Sequence, residues 1–275
     1  NLPKGIKGII CRRIKDKKLA FSLAHEFEIP LAIHDFDYKD DMVVLIDGAN
    51  NTIIINPSEE EVLIGKKKIS EKTYEIGENS KYLPSKVRIY APMVDTRNVD
   101  KVAYGDWFAG VAPFKTEYMF VTKGIMPKDE EQYKIFYDLF TGMKGKEVYI
   151  RIPDFRPERS IIYFGDIYTD PQTFDMYWEM FQTHLKAIRR AAEETNSHVN
   201  LAVPMVRMSQ EISFWRNQIA DAFYLSKLEH VKLGVIFETE SAYEYFEEYE
   251  DMDFAMIDLN DLVEERIYSK FLWDK

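Results

Sequence analysis

Six apolar runs organise the chain from Lys86 onward: KVRIYAPMV, WFAGVAPF, EVYIRIPDF, VNLAVPMV, VKLGVIFET and DFAMIDLN. Each is short, rich in β-branched or aromatic residues, and bounded by polar or turn-forming positions, which marks strands. Between them stand stretches whose apolar residues recur on a helical repeat, DEEQYKIFYDLFTGM and the long DPQTFDMYWEMFQTHLKAIRRAAEE. Strands of near-continuous apolar character need cover on both faces, and interposed helices supply it. The pattern predicts a parallel sheet, either a (β/α) barrel or a doubly wound sheet. In both architectures chemistry gathers at the C-terminal ends of the strands.

The first part of the chain is patterned differently. KGIKGII predicts a strand, and KKLAFSLAHEF carries Leu19, Leu23 and Phe27 at helical spacing. MVVLIDGANNTIIINP predicts a hairpin, with strands Met42 to Ile46 and Thr52 to Ile55 around a Gly/Asn-rich turn. The segment from Pro57 to Ser85 is charged, holds no long apolar run, and reads as a linker, part helix and part loop. The expected organisation is a first domain over 1–57, a linker over 58–85 and the strand–helix domain over 86–275.

Composition narrows the function. With 275 residues, 46% of them hydrophobic, the chain is long enough for a full core. Lys and Arg number 36 against 47 Asp and Glu, a net charge of -11, which argues against a nucleic-acid partner. Cys11 is the one cysteine, so there is no intrachain disulfide and no multi-cysteine zinc site. No stretch approaches the ~20 apolar residues of a membrane span, and no signal peptide is recognisable. The expectation is a cytoplasmic protein with no membrane partner. Asn1 in place of Met reads as a missing natural N-terminus.

The polar residues at the strand ends are the candidate chemistry. In order they are Asp95, then Lys115-Thr116-Glu117, Arg151 with Asp154, Arg207, Glu238, and Asn260-Asp261. Any one of them, taken singly, reads better as a helix cap or loop residue. Repeated at one end of successive strands, they would converge on a single pocket.

These residues stand in a recognisable order. GVAPFKTEYMF…MPKDEEQYKIFYDL resembles the second barrel strand and following helix of the phosphoenolpyruvate-utilising enzymes, and is most similar to enzyme I of the phosphoenolpyruvate-dependent sugar phosphotransferase system. EVYIRIPDF, LAVPMV, LGVIFETESA and MIDLNDL resemble the family's third to sixth strands, in sequence. FEIPLAI…DDMVVLIDGANNTIIINPSEEEV resembles the end of its swivelling phosphohistidine domain. The resemblance implies a (β/α) barrel preceded by part of that domain. It implies that Glu238 and Asp261 are magnesium ligands and that Lys115, Arg151 and Asn260 bind the substrate, phosphoenolpyruvate or a related anion. It also implies a homodimer.

The departures are as informative. Lys115 stands where the family has arginine, giving a point charge in place of a planar fork. Where the family has its phosphoacceptor histidine this chain has Leu19, preceded by Ile14, Lys15, Lys17 and Lys18 in place of the surrounding motif. The third-strand motif becomes DFRPER, and a following arginine motif becomes DPQTFDM. Glu240 replaces proline beside Glu238, and Asp258-Leu259 replaces Gly-Thr before Asn260. An extra carboxylate there either adds a metal ligand or repels the substrate. Strands seven and eight, with the family's catalytic cysteine, have no counterpart before Lys275, and Cys11 does not substitute. No catalytic residue is therefore assigned. The expected function is a divergent relative impaired in phosphohistidine transfer that retains magnesium and anion binding. The alternative is a non-enzymatic regulatory or assembly protein on a degenerate barrel. The tail LVEERIYSKFLWDK is expected to cover the open side of the sheet or a second copy of the chain.

Overall fold

In the computed structural model the described residues are 6–12, 29–47, 50, 52–71, 87–105, 108–123, 127–153, 171–224 and 231–263, with positions 20, 24, 226, 228 and 266. The chain divides into two compact units, Asn1–Ser85 and Lys86–Lys275. Among the described residues no helix is long and apolar enough to cross a membrane.

In the first unit β1 (Ile9–Cys11) pairs in parallel with β2 (Leu31–Ile33). The predicted hairpin forms as β3 (Val44–Asp47) and β4 (Thr52–Ile55), antiparallel with Asp47 opposite Thr52. Asp47 secures the turn, its carboxylate accepting from the Asn50 backbone at 3.2 Å and the Asn50 amide at 2.7 Å. Helix α1 (Glu59–Glu71) begins with a capping box: Ser58 Oγ accepts the Glu61 N–H, and Glu61 accepts the Ser58 N–H at 2.7 Å. Gly65 of α1 meets Leu45 of β3, so the helix packs on the hairpin. Ala20 and Ala24 are helical and buried; Leu19, Leu23 and Phe27 lie outside the described residues.

The second unit contains the six strands that the hydrophobic pattern marks: β5 (Ile89–Met93), β6 (Phe108–Lys115), β7 (Glu147–Arg151), β8 (Val199–Val203), β9 (Val231–Phe237) and β10 (Phe254–Ile257). They form one parallel sheet in strict chain order, β5 at one edge and β10 at the other. That order is the one a (β/α) barrel requires, and it excludes a doubly wound sheet, whose strand order reverses at a switch point. Helices α2 (Val99–Tyr104), α3 (Tyr118–Lys123), α4 (Asp129–Gly142), α5 (Pro171–Thr195), α6 (Gln210–Ala222) and α7 (Glu240–Glu244) fill the crossovers. The tail beyond Val263, apart from Arg266, lies outside the described residues.

Side chains alternate across this sheet. On the helix-covered face Val111, Phe114, Val148, Ile150, Leu201, Leu233 and Val235 are all buried, packed against Phe136, Leu139 and Phe140 of α4 and Phe181, Leu185 and Ile188 of α5. Burying each such side chain stabilises by about 1.5–3 kcal/mol, which makes this layer the main source of cohesion. On the opposite face stand Tyr90, Glu147, Tyr149, Arg151 and Phe254.

Those aromatic rings demonstrate the curl of the sheet. Tyr90 of β5 meets Tyr149 edge-on at 5.6 Å, and Tyr149 meets Phe254 of β10 at 4.9 Å. The sum of those steps, 10.5 Å, is the most that can separate rings borne by the two edge strands. A flat sheet would hold its first and sixth strands about 24 Å apart. The sheet is an open half-barrel with its concave face bridged by aromatics. Two glycines permit the close approach: a Cβ on Gly234 would lie 2.3 Å from the Phe254 ring, and one on Gly110 would lie 1.9 Å from the Glu147 carbonyl oxygen.

Candidate functional site

The strand register decides which polar residues share the concave face. A shift between Val111 and Phe114 lets both of these side chains face the helices, three residues apart. It leaves Lys115 opposite Arg151, so the two cations end adjacent strands on the same side. Lys115 is half-buried; Arg151 is only 2% exposed.

Arg151 is held by the two residues that follow β6. Its guanidinium is paired with Glu117, 4% exposed, and its backbone carbonyl accepts the Thr116 hydroxyl at 2.7 Å. The triplet Lys115-Thr116-Glu117 is therefore not a solvated turn: Thr116 and Glu117 face inward and fix the end of β7. One oxygen of Glu117, Oε2, has no hydrogen-bond partner among the described residues.

On β8–β10 the strand ends supply carboxylates. Glu238 is 1% exposed and follows directly on β9. Met205, in a left-handed backbone conformation with φ of 56°, turns its N–H to Glu238 Oε1 at 2.7 Å. Thr239 ties the same two loops together: its hydroxyl donates to the Val206 carbonyl at 2.7 Å and accepts the Ala242 N–H at the start of α7. Beyond β10, Asp258 donates its N–H to the Phe237 carbonyl, and its Oδ1 accepts the N–H groups of Asn260 and Asp261. This cap opens the helical turn at 259–263. The result is a cluster in which one ligand oxygen each from Glu238, Asp258 and Asp261 lies within 4.8 Å of the others.

The sequence-derived residues are thus placed as follows. Glu238 and Asp261 come together, joined by Asp258; Lys115 and Arg151 come together beside Glu117. Asn260 is exposed, with its backbone anchored on Asp258. Asp95 and Arg97 form their own ion pair at 2.6 Å, and Arg207 lies at the start of α6, where Glu211 accepts its N–H. Asp154 lies outside the described residues. Glu240 does not belong to the described carboxylate cluster; it opens α7 and is 3.9 Å from Arg266.

Comparison with known proteins identifies the family of the chain. Residues 79–267 match the family model described as PEP-utilising enzyme, PEP-binding domain. The phosphoenolpyruvate-protein phosphotransferase of Buchnera aphidicola subsp. Schizaphis graminum is 24% identical, over 88% of this chain and 47% of its own length. Its counterpart in Buchnera aphidicola subsp. Baizongia pistaciae is 27% identical, over 82% of this chain and 43% of its own. Multiphosphoryl transfer protein 2 of Escherichia coli K12 is 24% identical, over 60% of this chain and 21% of its own. The chain thus spans half or less of these relatives. The extent of the match and the strand order show that this chain belongs to the PEP-utilising enzymes, as a divergent member whose residues 79–267 match their PEP-binding domain.

Proposed function

We propose that residues 86–275 bind a divalent cation and a small anion of the phosphoenolpyruvate class at the C-terminal ends of the strands, and that the chain does not pass the phosphoryl group to a histidine of its own. The observation that carries this reading is the convergence of Glu238, Asp258 and Asp261. The donor set fits magnesium or manganese, which take oxygen ligands and are bound through carboxylates together with substrate phosphate and water. A cation bound by these oxygens would offset the charge of phosphate oxygens placed against it. Lys115 and Arg151, neighbours on the concave face, supply positive charge for the remaining oxygens of such an anion.

The restriction on chemistry comes from position 19. Leucine has no nitrogen or oxygen to accept a phosphoryl group, and the described histidines are placed elsewhere. His184, for example, is fully buried between Phe120 and Phe136. The name of the two Buchnera relatives describes phosphoryl transfer between phosphoenolpyruvate and a protein; this chain retains the binding half of that activity.

The test is calorimetric titration of the chain with phosphoenolpyruvate in the presence of magnesium, followed by mass spectrometry for phosphohistidine. Saturable binding without phosphorylation is expected, and a ligand at 100 times its Kd should stabilise the fold by about 2.7 kcal/mol. Absence of binding with both ligands present would overturn the proposal. Acid-labile phosphate on a histidine would overturn its second part.

A further inference from the structure

The cluster holds one carboxylate more than a phosphate-dependent magnesium site needs. Magnesium sites that act on phosphorylated ligands commonly use one or two carboxylates and leave the remaining positions to phosphate and water. Glu238 and Asp261 already supply two. Asp258 brings a third oxygen within the same 4.8 Å, at a position where the resembled family has glycine.

Resting on the binding site just described, we propose that Asp258 is a third protein ligand, and that it lets this chain hold a divalent cation before, and independently of, the anion. The argument is electrostatic. Two carboxylates only neutralise a divalent cation, so a phosphate strengthens binding by adding ligand charge. Three carboxylates attract the cation more strongly than two and exceed its charge by one, so the protein alone holds it without charge from a phosphate. A phosphate arriving afterwards meets a cluster that is still net negative, and the thermodynamic coupling between cation and anion falls. Lys115 and Arg151 then become the main attraction for the anion.

The placement of Asp258 is consistent with two jobs. Its Oδ1 accepts two backbone N–H groups, at 3.1 Å from Asn260 and 3.3 Å from Asp261, and so caps the helical turn that carries Asp261. Its carboxylate also carries the charge that asparagine would lack. Asparagine and aspartate cap helices about equally well, so Asp258→Asn removes the charge and leaves the cap.

The experiment is a manganese titration followed by electron paramagnetic resonance, with and without phosphoenolpyruvate, on the wild-type chain and on Asp258→Asn and Asp261→Asn. The wild type should bind manganese without phosphoenolpyruvate, and the anion should change that affinity less than threefold. Asp258→Asn should bind manganese at least tenfold more weakly alone and regain affinity when phosphoenolpyruvate is added. Manganese affinity unchanged in Asp258→Asn but lost in Asp261→Asn would overturn the proposal and leave Asp258 as a cap only. Absence of manganese binding by the wild type, with or without the anion, would overturn the binding site itself. Should Asp258→Asn not fold, Asp258→Ser keeps a capping hydroxyl without charge and carries the same expectations.

Discussion

Strand β7 carries an ion pair at each end, and the two pairs share chemistry but not surroundings. At its start Glu147 meets Arg88 at 3.1 Å, with the side chains 39% and 58% exposed. At its end Arg151 meets Glu117, with side chains 3% and 6% exposed. Glu147 and Arg151 are four residues apart and face the same side. At the exposed end water screens the charges, and the Tyr90 hydroxyl also donates to Glu147. At the buried end water is excluded from the pair, and one Glu117 oxygen has no hydrogen bond among the described residues. The exposed end is built to be soluble; the buried end retains charge despite its cost. In a (β/α) barrel the second of these is the end that carries chemistry.

The largest effect should come from breaking the buried pair. Glu117→Gln keeps the shape of the side chain but leaves the Arg151 guanidinium buried without that countercharge. Removing one member of a buried pair typically costs 3–5 kcal/mol, and about 3 kcal/mol is expected here. Urea denaturation of the variant and the wild type measures it. A loss under about 1 kcal/mol would show that water reaches this end of β7 and that the contrast is false.

Most of this architecture was legible from periodicity, because parallel strands and amphipathic helices advertise burial. All six strands, the hairpin and helices α4 and α5 lie where the apolar pattern puts them. Strand β2, helix α6 and the short helices α2, α3 and α7 escaped notice. The first is only three residues, whereas α6 does carry a helical stripe, Ile212, Trp215, Ile219 and Ala222, which was readable in QEISFWRNQIADA. The partnership of Glu117 with Arg151 was not legible, since 34 residues separate them and only the β6 register shift brings them together. Asp258 was visible as an added charge beside Asp261. What the sequence left open was whether Asp258 or Glu240 turns toward Glu238, which depends on the two loop paths.

A fully buried group with no countercharge sharpens the comparison. His184 of α5 is 0% exposed, and its Nδ1 is 2.8 Å from Gln132 Oε1, so that nitrogen carries the proton. Its Nε2 has no hydrogen-bond partner among the described residues, and rings of Phe120 and Phe136 pack around it. Burial pushes its pKa down to about 3. The unfolded chain therefore binds a proton that the folded chain refuses. Stability is fully present above the unfolded value near 6.5 and declines as pH falls toward the folded value. Between pH 7.5 and pH 5 the loss should be about 2 kcal/mol. His184→Gln keeps a donor for Gln132 and should remove that dependence. Parallel pH profiles for variant and wild type would sink the assignment.

The smallest effect belongs to the exposed end of β7. The Tyr90 hydroxyl, and after it Arg88, hold the Glu147 carboxyl below its ordinary range, while burial opposes them. A lowered folded pKa means the contribution is present above the unfolded value near 4.3 and is lost as pH falls through the folded one. With Glu147 more than a third exposed, screening reduces the contribution to under about 1 kcal/mol. Glu147→Gln should therefore lower the urea midpoint slightly at pH 7 and not at all once the carboxyl is protonated in both states. Raising the salt concentration should shrink the difference further, because exposed charges are screened and buried ones are much less so. The Glu117→Gln deficit should hold at the same salt. If Glu147→Gln proved as costly as Glu117→Gln, or equally indifferent to salt, the two ends of β7 would be electrostatically alike, and burial at the C-terminal end would no longer distinguish the candidate site.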